Sequence, residues 1–167
     1  MSFCGCHGGA GPELTARLAP GYTGQRQVHG LIFMDKKLVL NLLPDRVGVC
    51  RLESAADLPA GLPGPEGFYS ITGTGRETSL VCREDLLPAG VPCESGFRIL
   101  EVEGPLNFDL TGILAALLNP LAGAGVPVFT ISTYDTDYIL IKDNRLEQAL
   151  RALEKAVAII RRDPKEG

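Results

Sequence analysis

The sequence is poor in the residues that most catalytic sites use. Both of its histidines, His7 and His29, lie in the first 33 residues, and none follows. Histidine is the commonest general base and the usual partner of a serine or cysteine nucleophile. Residues 34–167 therefore offer little for acid–base or nucleophilic catalysis, and we expect a protein that is not an enzyme.

Other absences argue against further classes of protein. No apolar stretch approaches the roughly 20 residues of a membrane-spanning helix, and the N-terminus lacks the apolar segment of a secretory signal. The net charge is −4 with a pI near 5.2, and no segment forms a basic stripe that would neutralise phosphates. We therefore expect neither a membrane nor a nucleic acid as a partner.

The five cysteines are odd in number and irregularly spaced. This favours free thiols over a disulfide framework, and with them a cytoplasmic location. Cys50 and Cys82 lie in apolar, strand-like segments and are expected to be buried packing residues. No C-x-x-C pair supports a zinc site, and the cluster Cys4–His7 is more simply incidental than metal-binding. We expect no metal and no cofactor.

Short apolar and alternating runs predict the strands. The first two runs, 38–43 and 47–52, are two short strands or one bent strand. A hairpin of 68–72 and 78–82 follows, then the strand 97–103 and a second hairpin over 126–142. The segment 54–67 is rich in proline and glycine and is expected to be a loop. The apolar run 157–160 could be a final short strand.

Apolar residues at helical spacing predict two helices. The first carries an apolar stripe that begins at Ile113, with Asp109 as its N-cap and Pro120 as a distortion. The second starts at Asn144, where Glu147 completes a capping box. The second half of the chain thus has the order of a ferredoxin-like α+β fold, with helices on one face of an antiparallel sheet.

An internal similarity in the sequence indicates that the chain holds two such units. A shift of sixty positions lays residues 68–86 on 128–146, with a matching order of apolar and polar positions. We therefore predict four regions. They are a flexible N-terminal extension at 1–33, an incomplete N-terminal unit at 34–95, a complete C-terminal unit at 96–161 and a tail at 162–167. In the incomplete unit, the proline-rich loop takes the place of the first helix.

The tip of the second hairpin, Asp135–Asp137, and the segment 107–113 should be neighbours in a strand–helix–strand unit. A helix start offers unpaired N–H groups to a carboxylate, and Asp137 would balance an ammonium group. This combination suits a zwitterionic amino acid. Two alternatives remain at this stage. Asn107 and Asp109 could merely cap the helix, and Asp135 and Asp137 could be ordinary surface residues of a bend or form an acid–base pair.

The stretch 104–141 resembles the ligand-binding half of ACT-domain proteins related to the CASTOR arginine sensors and to the regulatory domains of aspartate kinases. Its specific parts are "ISTYDTDYILI", 131–141, and the F-D-x-x-G-I motif, 108–113. A weaker likeness covers about 38–157. The resemblance implies two tandem ACT-like units, the first incomplete, in a non-enzymatic regulator that binds a small amino acid. It also implies a homodimer, because the sensors fuse two such halves and this chain matches one.

The resemblance carries the family's binding positions onto eight residues. They are Asn107, Leu110 and Ile113 before and in the helix, Thr133, Tyr134 and Asp137 at the hairpin tip, and Pro127 and Val128 as the contribution of the facing unit. The arginine sensors have Gly at position 107 and Glu at position 110. The missing carboxylate argues against arginine and favours a neutral or smaller amino acid. A ligandless assembly module of the same fold is the alternative function.

Overall fold

The computed structural model describes residues 27–28, 31–32, 38–54, 57–59, 62 and 67–161. Most of the predicted extension and the whole predicted tail lie outside these residues, as does part of the proline-rich loop. The elements are β1 Gln27–Val28, β2 Leu31–Ile32, β3 Leu38–Leu52, β4 Ser70–Gly73, β5 Thr78–Arg83, β6 Cys93–Val102, α1 Ile113–Gly123, β7 Val128–Ser132, β8 Asp137–Lys142, α2 Leu146–Leu153 and β9 Val157–Arg161. In this part of the chain, no helix is long and apolar enough to cross a membrane.

Seven strands form one sheet in the order β4-β5-β3-β6-β8-β7, with β9 beside β3. Of the two alternatives for 38–43 and 47–52, the single strand is confirmed: it is β3, whose register with β6 shifts between Leu42 and Arg46. The run 157–160, for which a strand was one alternative, forms β9, which runs parallel to β3. Because β3 lies between β6 and β9, the second unit is not a self-contained ferredoxin-like sheet.

The two hairpins have the same geometry, but at a spacing of 59 residues rather than sixty. β5 and β8 show the same burial pattern along their lengths. At one tip the Thr74 amide donates to the Glu77 carbonyl, and at the other the Thr133 amide donates to the Thr136 carbonyl, both at 2.8 Å. The predicted alignment is therefore wrong by one position. The shared turn supports the prediction of a duplication, because the same threonine-closed geometry occurs twice.

Both helices lie on one face of the sheet, as predicted. Their buried residues fall at helical spacing and pack on strand residues of the same face. They are Ile113, Leu117 and Leu121 from α1 and Leu146, Ala149, Leu150 and Leu153 from α2, against Leu40, Leu100, Val102, Ile139 and Ile141. The fold is therefore the expected α+β arrangement.

The start of α1 differs from the prediction. Its N-cap is Gly112, at a φ of 83°, and no side chain caps it, so Asp109 does not have that role. Glycine adopts this left-handed conformation without steric cost, which lets the preceding loop turn sharply into the helix. Pro120 lies inside α1, as predicted.

The start of α2 also differs from the prediction. A 3₁₀ turn over Asp143–Arg145 precedes the helix, which begins at Leu146. Arg145 is at the N-cap position and no side chain caps the helix. The predicted capping box of Asn144 and Glu147 is therefore wrong, because Asn144 is already part of the 3₁₀ turn.

Cys50 and Cys93 form a disulfide between β3 and β6. The two residues are direct partners in the register of these strands, which brings their Cα atoms within 4.1 Å. The expectation of free thiols is wrong for this pair, because spacing in the sequence says nothing of strand register. Cys82 is a buried free thiol in the same cluster, and burial raises its pKa, with the charge of Asp85 as a smaller cause. Cysteine usage therefore no longer supports a reducing compartment.

The face of the sheet opposite the helices holds a second apolar cluster, with Val47, Val81, Ile99 and Leu140 at its centre. Phe68, which precedes β4, packs on Tyr138 of β8 with ring centroids 4.8 Å apart. The Tyr138 hydroxyl donates to Glu101 at 3.2 Å. Burial raises the pKa of Tyr138, and the charge of Glu101, its hydrogen bond and the charge of Asp135 add to this.

We expect the disulfide to stabilise the fold by about 2–4 kcal/mol, the usual range for a native cross-link. A reductant should lower the melting temperature of the wild-type protein, measured by differential scanning calorimetry. The double variant Cys50→Ala/Cys93→Ala should melt at the same temperature with and without reductant. The matched variant Cys82→Ala should keep the response. Equal melting temperatures for oxidised and reduced wild-type protein would contradict this prediction.

We expect Tyr138 to make stability depend on pH in the alkaline range. Its raised pKa means that the folded state holds the phenolic proton more tightly than the unfolded state. The resulting stability is complete below the pKa of an unfolded tyrosine, about 10, and is lost as the pH rises through the folded pKa. Tyr138→Phe should flatten the decline in unfolding free energy above pH 10, measured by urea titration. Parallel pH curves for the two proteins would refute it.

Candidate functional site

A cleft of about 320 Å³ lies between the loop that leads into α1 and the tip of the β7–β8 hairpin. Six of the eight predicted binding residues line it. They are Asn107, Leu110, Ile113, Thr133, Tyr134 and Asp137. Pro127 and Val128 do not line it. The sequence therefore identified both walls of the cleft, and the structure brings those walls together.

The hairpin tip is a turn closed by two threonines. The Thr133 hydroxyl donates to the Thr136 carbonyl at 3.0 Å, and the Thr136 amide donates back to the Thr133 hydroxyl at 3.3 Å. The Thr136 side chain points inward, since the residue is 7% exposed, and its hydroxyl donates to the Val102 carbonyl at the end of β6. The tip is thus fastened to the sheet. Sequence reasoning missed Thr136, whose only signal was a small polar residue between two aspartates.

The loop after β6 contacts the tip through its backbone. The Leu106 amide donates to the Asp135 carbonyl at 2.7 Å. A Cβ atom on Gly104 would lie 2.8 Å from that same carbonyl oxygen, so only glycine permits this approach. Asp135 lies in the turn rather than on a strand, and its backbone joins the two walls.

Asn107 shapes the turn that leads to α1. Its side-chain oxygen accepts a hydrogen bond from the Asp109 amide at 3.0 Å, and its carbonyl accepts one from the Leu110 amide at 2.9 Å. This is an Asx turn, in which the side chain replaces a backbone partner. Neither Asn107 nor Asp109 caps the helix, so the capping alternative is wrong, and the residues instead direct the loop along the cleft.

The start of α1 forms one end of the cleft. Gly112 and Ile113, at its first turn, and Leu114 all line the cleft. The first N–H groups of a helix have no partner within it, and they lie at the positive end of the helix dipole. No side chain caps α1 and no acidic residue lies in its first turn, so these groups keep their capacity to bind an anion.

Asp137 is the first residue of β8 and is half-buried. Its Oδ1 atom accepts a hydrogen bond from the Ser132 hydroxyl at 2.5 Å, across the last pair of the β7–β8 register. The serine orients the carboxylate and leaves its second oxygen for another donor. Sequence reasoning did not select Ser132. The register of the hairpin, which puts it opposite Asp137, was the missing signal.

Two aromatic side chains stand at the rim of the cleft. Phe108 and Tyr134 meet edge to face, with ring centroids 5.1 Å apart and an interplanar angle of 73°. They are 73% and 80% exposed, the highest values among the large apolar side chains of the described residues. Exposed aromatic pairs next to a cavity are typical of binding surfaces. Tyr134 was predicted to bind, and Phe108 was not.

Pro127 and Val128 lie at the start of β7, away from the cleft. Pro127 is exposed, whereas Val128 packs against the core beneath the helices. β7 is an edge strand of the sheet, so within the described chain its outer side has no neighbouring strand. Their predicted role as the contribution of a facing unit would require a second copy.

The charged groups that line the cleft are both acidic, Asp135 and Asp137. Within the described ranges, no group of three or more histidine, cysteine or acidic side chains could hold a metal ion. The uncapped start of α1 and the oriented carboxylate of Asp137 line this same cleft.

Two family models match the chain. The model of the ACT domain matches residues 93–155, and a model of an N-terminal domain matches residues 45–90. The boundary between the two matches falls at the beginning of β6, next to the disulfide.

The chain is also similar to proteins of known sequence or structure. The human protein named cytosolic arginine sensor for mTORC1 subunit 1 is 32% identical over 91 residues, which cover 54% of this chain and 27% of that protein. The aligned chain thus spans about a quarter of that relative's length. A crystal structure of an Agrobacterium tumefaciens protein matches with a TM-score of 0.71 and 32% identity, covering 79% of this chain and 98% of that one.

Aspartate kinase from Synechocystis shares the fold. Its TM-score is 0.58 at 18% identity, over 78% of this chain and 29% of the enzyme. At this identity the likeness shows the fold alone, and the ACT-domain model supplies the family. Residues 93–155 form an ACT domain, and the chain belongs to the ACT-domain proteins.

Proposed function

We propose that the chain is a non-enzymatic regulatory protein that binds a small amino acid in the cleft between α1 and the β7–β8 tip. One observation carries this proposal: the uncapped start of α1 and the carboxylate of Asp137 line the same cleft. An α-amino acid presents a carboxylate and an ammonium group a short distance apart. The start of α1 and Asp137 offer a partner of the opposite sign for each.

The contacts on each side support this orientation of the ligand. The first-turn amides of α1 would donate to the ligand carboxylate, which is favoured by the helix dipole. Asp137, held by Ser132, would accept from the ammonium group. A charge-assisted hydrogen bond of this kind contributes about 1.5–3 kcal/mol. The family match and the sensor function named for the human relative support a regulatory role.

The lining of the cleft supports binding rather than catalysis. It contains no histidine, cysteine or lysine to act as a base or nucleophile.

We also propose that two copies of the chain form a homodimer that completes the site. The exposed edge of β7 supports this, because Pro127 and the 39%-exposed Phe129 lie along it. Isologous dimers are the commonest oligomers, and each would contain two equivalent clefts. Pro127 and Val128 would then contribute to the cleft of the partner subunit.

A cytoplasmic location belongs to the same proposal. The human relative is named a cytosolic sensor, which supports it. The disulfide between Cys50 and Cys93 is the observation against it, because glutathione keeps most cytoplasmic thiols reduced. Alkylation of free thiols in intact cells, followed by mass spectrometry of the two cysteine-containing peptides, distinguishes the alternatives.

We expect at least one of the twenty amino acids to raise the melting temperature of the full chain. A ligand at 100 times its dissociation constant stabilises the folded state by about 2.7 kcal/mol. Asp137→Asn should weaken the affinity by about tenfold or more, measured by isothermal titration calorimetry, because the ammonium group loses its charged partner. Asp109→Asn, an exposed acid outside the cleft, is the matched control and should bind like the wild type.

The opposite result has a defined meaning. If none of the twenty amino acids shifts the melting temperature, the amino-acid site does not exist. Capture of a protein partner that no amino acid displaces would then favour the ligandless assembly module. The exposed pair of Phe108 and Tyr134 would be the first surface to test for such a partner.

We expect the protein to sediment as a dimer at micromolar concentration. Pro127→Arg should shift it toward the monomer, since it adds a charged, bulky side chain at the proposed interface. Ala89→Arg adds the same charge in an exposed loop of the first unit and should leave the dimer unchanged. Sedimentation velocity measures both. A monomeric wild-type protein would exclude the proposed dimer but leave the cleft within one chain open to test.

A further inference from the structure

We infer that the cleft selects an amino acid with an apolar, aliphatic side chain, and that Leu110 helps to set this preference. The inference rests on the proposed function, because it names the class of ligand for the same cleft. It depends on three features of the cleft: an apolar wall, polar groups that are already committed to internal partners, and an absence of positive charge in the lining.

The wall that leads into α1 is apolar. The residues that form it are Leu106, Phe108, Leu110, Ile113 and Leu114. Ile113 is buried in the core below the helices, and Leu106 packs against the same core. The wall is therefore continuous with the interior. An aliphatic side chain that lay on it would remove apolar surface from water, and each buried methylene should improve the affinity about fourfold.

Four neutral polar side chains that line the cleft are engaged within the protein. The Ser132 hydroxyl donates to Asp137, and the hydroxyls of Thr133 and Thr136 donate to backbone carbonyls of the turn and of β6. The Asn107 side-chain oxygen accepts from the Asp109 amide. A polar ligand side chain that used one of these groups would compete with its internal bond, whereas an apolar one competes with none. Tyr134, the other neutral polar residue of the lining, is 80% exposed at the rim and contacts Phe108 through its ring.

The charges of the cleft argue against an acidic ligand side chain. No arginine, lysine or histidine lines the cleft, so a second ligand carboxylate would lie near Asp135 and Asp137 without a positive partner. A basic side chain has one conceivable partner, Asp135, after Asp137 has bound the ammonium group. To reach Asp135, the basic side chain would have to hold its charged group at the exposed turn. Only its methylene groups would then contact the apolar wall.

Leu110 is the wall residue whose replacement can test this without disturbing the core. It is 38% exposed and precedes α1. Its replacement by a carboxylate would put a negative charge directly on the apolar wall. Ile71 on β4 is 40% exposed and lies outside the cleft, so the same substitution there is a matched control.

The experiment is isothermal titration calorimetry of the full chain with a homologous series: L-alanine, L-2-aminobutyrate, L-norvaline and L-norleucine. We expect the affinity to rise with each methylene, to a total on the order of 50-fold. L-arginine, L-lysine and L-glutamate should bind more weakly than L-norleucine. Leu110→Glu should weaken L-norleucine at least tenfold and strengthen L-arginine or L-lysine, and Ile71→Glu should do neither.

Two results overturn the inference, and they differ from the failure of the proposed function. If the series binds with equal affinity, or if a charged amino acid binds more tightly than L-norleucine, the cleft binds amino acids but does not select apolar ones. If no amino acid binds at all, including those outside the series, the proposed function fails together with this inference. Thermal melting of Leu110→Glu shows whether the variant is folded before its affinities are compared.

Discussion

The candidate site depends on how the β7–β8 tip is fastened to the end of β6. The buried hydroxyl of Thr136 donates to the Val102 carbonyl, and the Leu106 amide donates to the Asp135 carbonyl. These bonds run in opposite directions between the same two segments, so the tip and the loop cannot move apart without leaving a buried polar group unpaired. The close approach at Gly104 completes the attachment. The attachment between the tip and the end of β6 positions the two walls of the cleft relative to each other.

The polar tip of the hairpin has a structural explanation that is separate from any ligand. A two-residue Asn-Gly turn would close the strands more simply, but it would offer no side chain to reach β6. The threonines close the turn with their hydroxyls and attach it to the sheet, while Asp137 is left at the mouth of the cleft. The first hairpin uses the same threonine closure at Thr74. The tip is thus a stable turn that carries Asp137, the residue proposed to bind the ligand.

Local patterns in the sequence were sufficient for most of the elements after residue 38 and for much of the candidate site. Alternating apolar residues identified the hairpins, and the spacing from Ile113 identified α1. The resemblance to ACT domains then selected six positions that the structure brings together in one cleft. Features that depend on contacts between different strands could not be predicted from local patterns in the sequence. The Cys50–Cys93 bond depends on the register between β3 and β6, and the pairing of Ser132 with Asp137 depends on the register of a hairpin. The Asp109 cap failed because a glycine in a left-handed conformation can start a helix without a side-chain partner.

The long strand β3 belongs to both halves of the molecule. Its second half pairs with β5, and its first half separates β6 from β9. A fragment cut at the boundary of the ACT-domain match, residue 93, would keep α1, α2 and the cleft but lose this strand. It would also lose Leu40 and Leu42 from the core beneath the helices, and the adjoining strand edges would be left without hydrogen-bond partners. The part of the chain that matches the ACT-domain model therefore does not contain everything its fold needs, and a fragment that begins at residue 93 should not be stable alone.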